Sequence, residues 1–354
     1  MKTNILKVGD SVYARSIQNF DASYINGFPQ REQYFLKHCK NINFEFFKHD
    51  PIRTLNDLWK NQKKLQEFLK QNSFDFILID NPFSALMIKK DVGVPLIFDC
   101  IDWYDEMYLK EFGINKNYYL LRYGLLEILE CANKVITQSP IMLAALKKWG
   151  LKSKNYTVIP NGYDKDIFYP YTKTETKKAR KYIEEKYRID LKNRVMIVYT
   201  GKLGKWYDNI KLIAEAVSDE HVFFIVGEGP IKNEIKNAGN IIKCGKIEIN
   251  SVPIYTNAAD VLVFPVNNDC SPIAISEYLA VGKPIVMGKG RMEWLLKNGK
   301  TGYMVDNNIF SWRNGIDSAM KNAKRIGNYN INISKDLSWQ HLSKKFVKFV
   351  ASGE

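Results

Sequence analysis

Short runs of β-branched and aromatic residues recur along the chain and alternate with stretches whose apolar positions repeat at helical spacing. The runs fall at residues 4–8, 44–47, 74–79, 95–98, 134–137 and 156–159, and the rhythm restarts at 195–199, 222–226, 241–244, 261–264, 284–287 and 302–305. Alternation of this kind predicts an α/β architecture with parallel sheets. Between the runs, Leu55, Leu58, Leu65, Phe68 and Leu69 share one helical stripe. Ser139 and Pro140, followed by Met142, Leu143, Leu146 and then Gly150, predict a capped helix with a glycine stop. Near the end, Leu337, Trp339, Leu342, Phe346, Val347, Phe349 and Val350 predict a terminal amphipathic helix.

A polar, charged segment over residues 166–194 parts the two series. The expected organisation is two doubly wound domains, residues 1–165 and 166–335, with a closing segment 336–354. Two similar halves imply a cleft between them, and open parallel sheets collect ligands at the carboxyl ends of their strands.

Composition narrows the class. A chain of 354 residues that is 45% hydrophobic and 25% charged buries a sizeable core and is neither disordered, fibrous nor a single small module. No apolar run approaches the roughly 20 residues of a membrane span, and charge interrupts the opening MKTNILKVGDSVYARS too early for an export signal, so a cytoplasmic protein is expected. The cysteines (Cys39, Cys100, Cys131, Cys244, Cys270) are scattered without CxxC spacing, and His38, His49, His221 and His341 never stand at ligand spacing. Neither a disulfide framework nor a protein-built metal centre is expected, although aspartates can still hold magnesium. A net charge of +14 favours anionic partners. The basic residues are spread out and form no zinc-finger, RRM or helix-turn-helix pattern, so nucleic acid is not expected; an anionic membrane surface or a phosphorylated substrate accounts for the charge equally well.

The most informative stretch is NNDCSPIAISEYLAVG, directly after the apolar run VLVFPV. Ser271 is a natural N-cap and Pro272 suits the first helical position, so a helix should open there and stop at Gly282. The N–H groups of Ile273 and Ala274 then form an anion site that fits a phosphate. Glu277, four residues beyond Ile273, lies on the same face and can accept hydrogen bonds from ribose hydroxyls. An ordinary capped helix with a solvent-facing glutamate would show the same letters. A second turn, Gly201-Lys202-Leu203-Gly204-Lys205, also follows a strand; its glycines admit a ligand to the backbone, and Lys202 and Lys205 bring charge for a diphosphate. It lacks Walker spacing, and a plain solvated loop is its simpler reading. Val226-Gly227-Glu228-Gly229-Pro230 is a third glycine turn, explicable by tight packing alone.

ANKVITQSPIMLAALKKWG followed by VIPNGYDKDIFYP resembles the segment "ADxVIxxS…VIPNGVDxxxFxP" of GT-B glycosyltransferases, particularly glycosyltransferase family 4. With VMIVYTGKLGKWYDNIKLI, FFIVGEGP and SPIAISEYLAVGKPIV, the likeness covers most of residues 130–306 in the expected order. It implies the GT-B fold, two Rossmann-like domains facing a cleft: residues 1–165 bind the acceptor, 166–335 bind the nucleotide sugar, and 336–354 cross back to the first domain. Two glutamates flank the strand-to-helix turn in that family; Asp269 and Glu277 hold their places here, which implies a role beside the donor sugar for Asp269 and on the nucleotide ribose for Glu277. The family's Arg and Lys pair for the diphosphate is matched by Lys202 and Lys205 in a shortened loop, similar to the bacterial polysaccharide-transferase branch with "GAxxxWFD". That branch often carries an acidic phrase which Asp99, Cys100, Ile101 and Asp102 echo, so Asp99 and Asp102 are expected at the mouth of the cleft, orienting or deprotonating an acceptor hydroxyl. Helix capping is the other use of such aspartates.

The resemblance thus implies transfer of a sugar from a UDP- or GDP-sugar to a glycan or lipid-linked acceptor in surface polysaccharide or glycoconjugate synthesis. The nucleotide sugar is a co-substrate, and no metal or other cofactor is expected. Close family members retain anomeric configuration, while an Asp99 base would invert it. Tyr104, Tyr108, Phe112, Tyr118, Tyr119 and Tyr123 interleave with Lys110, Lys116 and Arg122 in a stretch suited to stacking on sugars or lying on an anionic membrane, although core plus a solvated face is its commoner reading. The opening without an export signal, the net charge of +14 and a resembling branch that builds surface polysaccharides lead to the expectation of visits to the inner face of the cell membrane. A non-catalytic GT-B sugar-binding or scaffold partner and a nucleotide-sugar epimerase on the same fold are the competing functions.

Overall fold

A computed structural model describes residues 2–9, 24–25, 28–50, 52, 54–88, 92–266 and 268–352. The chain forms two compact units, one of Met1–Pro160 with Trp339–Glu354 and one of Asn161–Ser338. All twelve predicted runs are strands, with ends shifted by at most two residues.

The first unit holds β1 (Thr3–Gly9), a short antiparallel pair β2 (Tyr24–Ile25) and β3 (Phe28–Pro29), then β4 (Ile42–Lys48), β5 (Phe76–Ile79), β6 (Leu96–Cys100), β7 (Lys134–Thr137) and β8 (Asn155–Val158). Six of them form a parallel sheet in the order β4-β1-β5-β6-β7-β8. β6 and β7 are buried along their whole length, as parallel strands covered on both faces must be. Ser139 caps the helix Pro140–Lys148 by accepting from the Met142 N–H at 3.1 Å, and Gly150 follows with φ +104°.

The terminal helix Trp339–Ala351 belongs to this unit. Trp339 stacks on Tyr34 at 5.1 Å and Phe346 on Phe35 at 4.4 Å, both partners lying in the helix Gln30–His38. Burying two such aromatic rings is worth roughly 2–3 kcal/mol each, which ties the last turns of the chain to the first sheet. Lys134 on β7 is buried, and its ammonium donates to the carbonyls of Phe349 and Ser352 at the end of that helix. A cation there completes the last unpaired carbonyls and favours the negative helix end.

The second unit contains β9 (Val195–Thr200), β10 (His221–Val226), β11 (Ile241–Gly245), β12 (Val261–Phe264), β13 (Ile285–Gly288) and β14 (Gly302–Val305), all parallel, in the order β11-β10-β9-β12-β13-β14. The polar segment expected to part the halves folds into this unit. Its helix Lys173–Tyr187 opens with a Thr172–Glu175 capping box and buries Ala179 and Ile183, while Arg180 donates to Asp260 at 3.0 Å and to the Ala258 carbonyl at 3.1 Å. Its polarity belongs to an exposed face; a single apolar stripe suffices to dock it.

Candidate functional site

In the second sheet the winding reverses at β9, which lies between β10 and β12, and the carboxyl ends of these strands form the switch point where open α/β sheets bind ligands. β9 ends at Thr200, whose N–H donates to the Tyr278 hydroxyl at 2.8 Å. Tyr278 is fully buried on the helix Ile273–Ala280, so this helix is pinned to the end of β9. The turn after β9 leans on the turn after β10: Gly201 N–H donates to the Val226 carbonyl at 3.0 Å, Leu203 N–H to Glu228 at 2.9 Å, and Ile231 N–H to Leu203 at 3.1 Å. A Cβ on Gly227 would stand 1.8 Å from the Gly201 carbonyl oxygen, so the two turns require glycine for their mutual packing. On this framework Lys202 is half-buried and Lys205 exposed, the latter opening a single 3₁₀ turn, Lys205–Tyr207.

The structure changes the expected helix start. The helix runs Ile273–Ala280, Pro272 takes the N-cap position, and no side chain of the described residues caps it. Ser271 turns away: its hydroxyl accepts from the Asn161 N–H at 2.8 Å and its carbonyl from Asn161 Nδ2 at 2.8 Å. Asn161 also accepts, through its carbonyl, from the Ser276 hydroxyl at 2.7 Å. A bidentate partner far away in sequence outcompetes the local cap. The half-buried N–H groups at Ile273 and Ala274 thus begin the helix uncapped, which strengthens their suitability for an anion.

Glu277 is not solvent-facing. It is 7% exposed, and no cation or hydrogen-bond donor of the described residues meets its carboxylate. Burial alone pushes its pKa up to about 8. An unpartnered carboxyl one turn inside an uncapped helix start is costly for folding and leaves its hydrogen-bonding capacity for a ligand.

Asp269 sits in the loop after β12, half-buried, with Oδ1 accepting from the Ser271 N–H at 3.1 Å. Burial raises its pKa, against the N–H groups of Ser271 and Cys270 and the charge of Arg291. Arg291 and Trp294 were not legible as site residues in the sequence. They reach the same loop from the turn after β13: Arg291 Nη1 donates to the Asn268 carbonyl at 2.9 Å, and Trp294 Nε1 to the Cys270 carbonyl at 2.7 Å.

In the first unit, Asp99 stands at the end of β6 and is wholly buried, paired with Arg31 Nε at 2.7 Å. Arg31 also donates to the carbonyls of Pro160 at 2.9 Å and Ile159 at 2.8 Å. Burial raises the Asp99 pKa and Arg31 opposes the rise. The carboxyl expected at the mouth of the cleft is buried, with Oδ2 in an ion pair with Arg31. Asp102, beyond the strand, is half-buried.

Comparison with known proteins fits this architecture. Residues 26–167 match the family model described as Glycosyltransferase Family 4, and residues 194–322 match that of Glycosyl transferases group 1. The chain belongs to the family 4-like GT-B glycosyltransferases. Among solved structures, HepE of Anabaena in complex with UDP-glucose matches with a TM-score of 0.75 at 15% identity, covering 99% of this chain and 100% of that one. A sucrose-phosphate synthase of Thermosynechococcus elongatus gives 0.74 at 15% identity, covering 98% of each chain. A glycosyltransferase of Rickettsia africae gives 0.70 at 16% identity, covering 99% of this chain and 98% of that one. A search of curated proteins by sequence finds no match.

The aromatic and basic stretch of this glycosyltransferase divides by burial. Tyr104 and Tyr108 are core residues, Tyr118 is half-buried, and Phe112, Tyr119 and Tyr123 are exposed. Arg122 pairs with Asp105 at 2.8 Å and lies over Trp149, while Lys110 and Lys116 face solvent. No helix among the described residues is long and apolar enough to cross a membrane.

Proposed function

We propose that this glycosyltransferase draws on a nucleoside-diphosphate sugar, a UDP- or GDP-sugar, and transfers the sugar to a glycan or lipid-linked acceptor in surface polysaccharide or glycoconjugate synthesis, with retention of configuration. The observation that carries the reading is Glu277, a buried carboxyl with no partner among the described residues, one turn beyond the start of the helix Ile273–Ala280 at the switch point. In this reading the diphosphate lies on the Ile273 and Ala274 N–H groups beside Gly201, the ribose hydroxyls donate to Glu277, and Asp269 faces the donor sugar. The leaving diphosphate gains negative charge, and the helix start with Lys202 and Lys205 offers preorganised positive potential, so the step asks for no metal ion. The solved HepE complexes with UDP-glucose and with UDP support a uridine donor.

A thermal-shift panel of UDP-glucose, UDP-galactose, UDP-N-acetylglucosamine and GDP-mannose tests the donor class, and release of nucleoside diphosphate with and without acceptor glycan tests transfer. One of these sugars should raise the melting temperature by a few degrees. Replacing Lys202 and Lys205 together by Met should cut turnover at least about tenfold while leaving the melting curve of the free protein in place. Wild-type turnover in the double variant would remove both lysines from the site.

The same reading places the enzyme at times on the inner membrane face, supported by the net charge of +14 and by the exposed Phe112, Tyr119 and Tyr123. Each basic residue near an anionic bilayer contributes about 1 kcal/mol, which gives reversible attachment. Sedimentation with phosphatidylglycerol vesicles should show binding at low salt that fades through the physiological range. Absence of binding at low salt, with full activity on a soluble acceptor, would reassign the enzyme to soluble substrates.

A further inference from the structure

We propose that Arg291, with Trp294, is a positioning residue for Asp269, a clamp reaching over from the next strand's loop to hold the turn on which that carboxyl stands. The proposal rests on the reading that Asp269 faces the donor sugar. β12 and β13 are hydrogen-bonded neighbours, Leu262 to Ile285 through Phe264 to Met287, so the loops leaving their carboxyl ends lie side by side. The second loop closes as one 3₁₀ turn, Arg291–Trp294. In a 3₁₀ turn the side chains at i and i+3 eclipse, which sends Arg291 and Trp294 to the same side.

Both then grip the backbone on either side of Asp269. Arg291 Nη1 holds the Asn268 carbonyl at 2.9 Å, and Trp294 Nε1 holds the Cys270 carbonyl at 2.7 Å. Met292 between them is fully buried and anchors the turn in the core. Asp269 itself closes the arrangement by accepting from the Ser271 N–H. Fixing the two carbonyls flanking a residue leaves its side chain little freedom, and a carboxylate acting on a developing charge must not need to reorganise. The guanidinium has a further effect: with the Ser271 and Cys270 N–H groups, its charge opposes the rise that burial imposes on the Asp269 carboxyl. Glu277 lies buried on the following helix, and Glu293, on the clamp's own turn, faces solvent.

The test compares Arg291→Gln, Arg291→Lys, Trp294→Phe and Asp269→Asn. Protein labelled with carbon-13 at the aspartate carboxyl carbon reports the Asp269 resonance directly, assigned by its loss in Asp269→Asn, with no ligand required. In Arg291→Gln that resonance should titrate at least about half a pH unit higher than in the wild type, and Arg291→Lys should restore it. With the sugar nucleotide that stabilises the wild type, Arg291→Gln should lower kcat about tenfold or more, leave the donor KM within about threefold, and move the acid limb of the kcat/KM profile upward. Trp294→Phe, which keeps the charge and most of the packing, should lower kcat without moving the titration. An unmoved resonance and unchanged kcat in Arg291→Gln, with Asp269→Asn inactive, would overturn the clamp and leave Asp269 in its role. Full activity in Asp269→Asn would overturn the underlying reading and the clamp with it.

Discussion

Replacing Arg31 with methionine should destabilise the first unit by about 3–5 kcal/mol, the usual loss when one member of a buried ion pair is removed. The pair is 3% and 0% exposed, and its Nε to Oδ2 distance is 2.7 Å. The same guanidinium serves the carbonyls of Ile159 and Pro160 just past β8, so the variant strands a carboxylate and two acceptors at once. Burial already raises the Asp99 pKa and Arg31 opposes it. With Arg31 gone only the charge of Lys7 opposes the rise: the folded carboxyl holds its proton to higher pH than the unfolded one, and stability falls as pH rises across that interval. The deficit should therefore be larger at pH 8 than at pH 5. Hydrogen exchange on β6 and β8 isolates this unit from the other, where a single global unfolding curve would mix them. Arg31→Met with Asp99→Asn should recover part of the loss, since the double variant buries no unpaired charge. Wild-type protection in Arg31→Met at pH 8 would show that the pair contributes nothing.

Glu277→Gln should do the opposite to the fold and harm to the site. A carboxyl raised by burial from 4.5 to about 8 makes the folded state bind more protons than the unfolded one between those values. Stability is lost as pH rises through that window, and an amide of the same shape avoids the loss. At pH 8 the variant should be more stable by about 2–4 kcal/mol, and near pH 4.5 the gain should vanish. Nucleotide binding should weaken by roughly 10- to 100-fold, since a carboxylate accepting from hydroxyls makes charge-assisted bonds worth about 1.5–3 kcal/mol. If ribose hydroxyls favour the ionised form, binding of the matching nucleoside diphosphate to wild type should release protons near pH 7, as calorimetry in buffers of different ionisation enthalpy reports, and the variant should release fewer. Unchanged affinity together with unchanged stability would remove Glu277 from the donor site. Such a trade of stability for binding is common where a site must hold an unpaired polar group ready.

What this sequence determined by itself is what depends on near neighbours. The central strands were legible because a strand covered on both faces must be apolar throughout, and composition over five residues records that; the edge strands β4, β8 and β11, partly polar and less buried, showed through their β-branched and aromatic residues. The Ser139 cap was legible because its acceptor and donor are three residues apart. The family likeness named Asp269 and Glu277, and the helix between them begins within two residues of the expected place. Tertiary structure alone decided what each of these groups faces. Ser271 was lost as a cap to Asn161, which lies 110 residues earlier. Asp99 became half of a buried pair because Arg31, 68 residues away, is carried under the end of β6. Arg291 and Trp294 joined the acidic loop because β12 and β13 are neighbours in the sheet. Glu277 is buried because Tyr278 pins its helix against β9. Local sequence sets propensity and capping, which act over three or four residues; winding order sets which strand ends meet, and so decides the partners, burial and charge state of every group at the site.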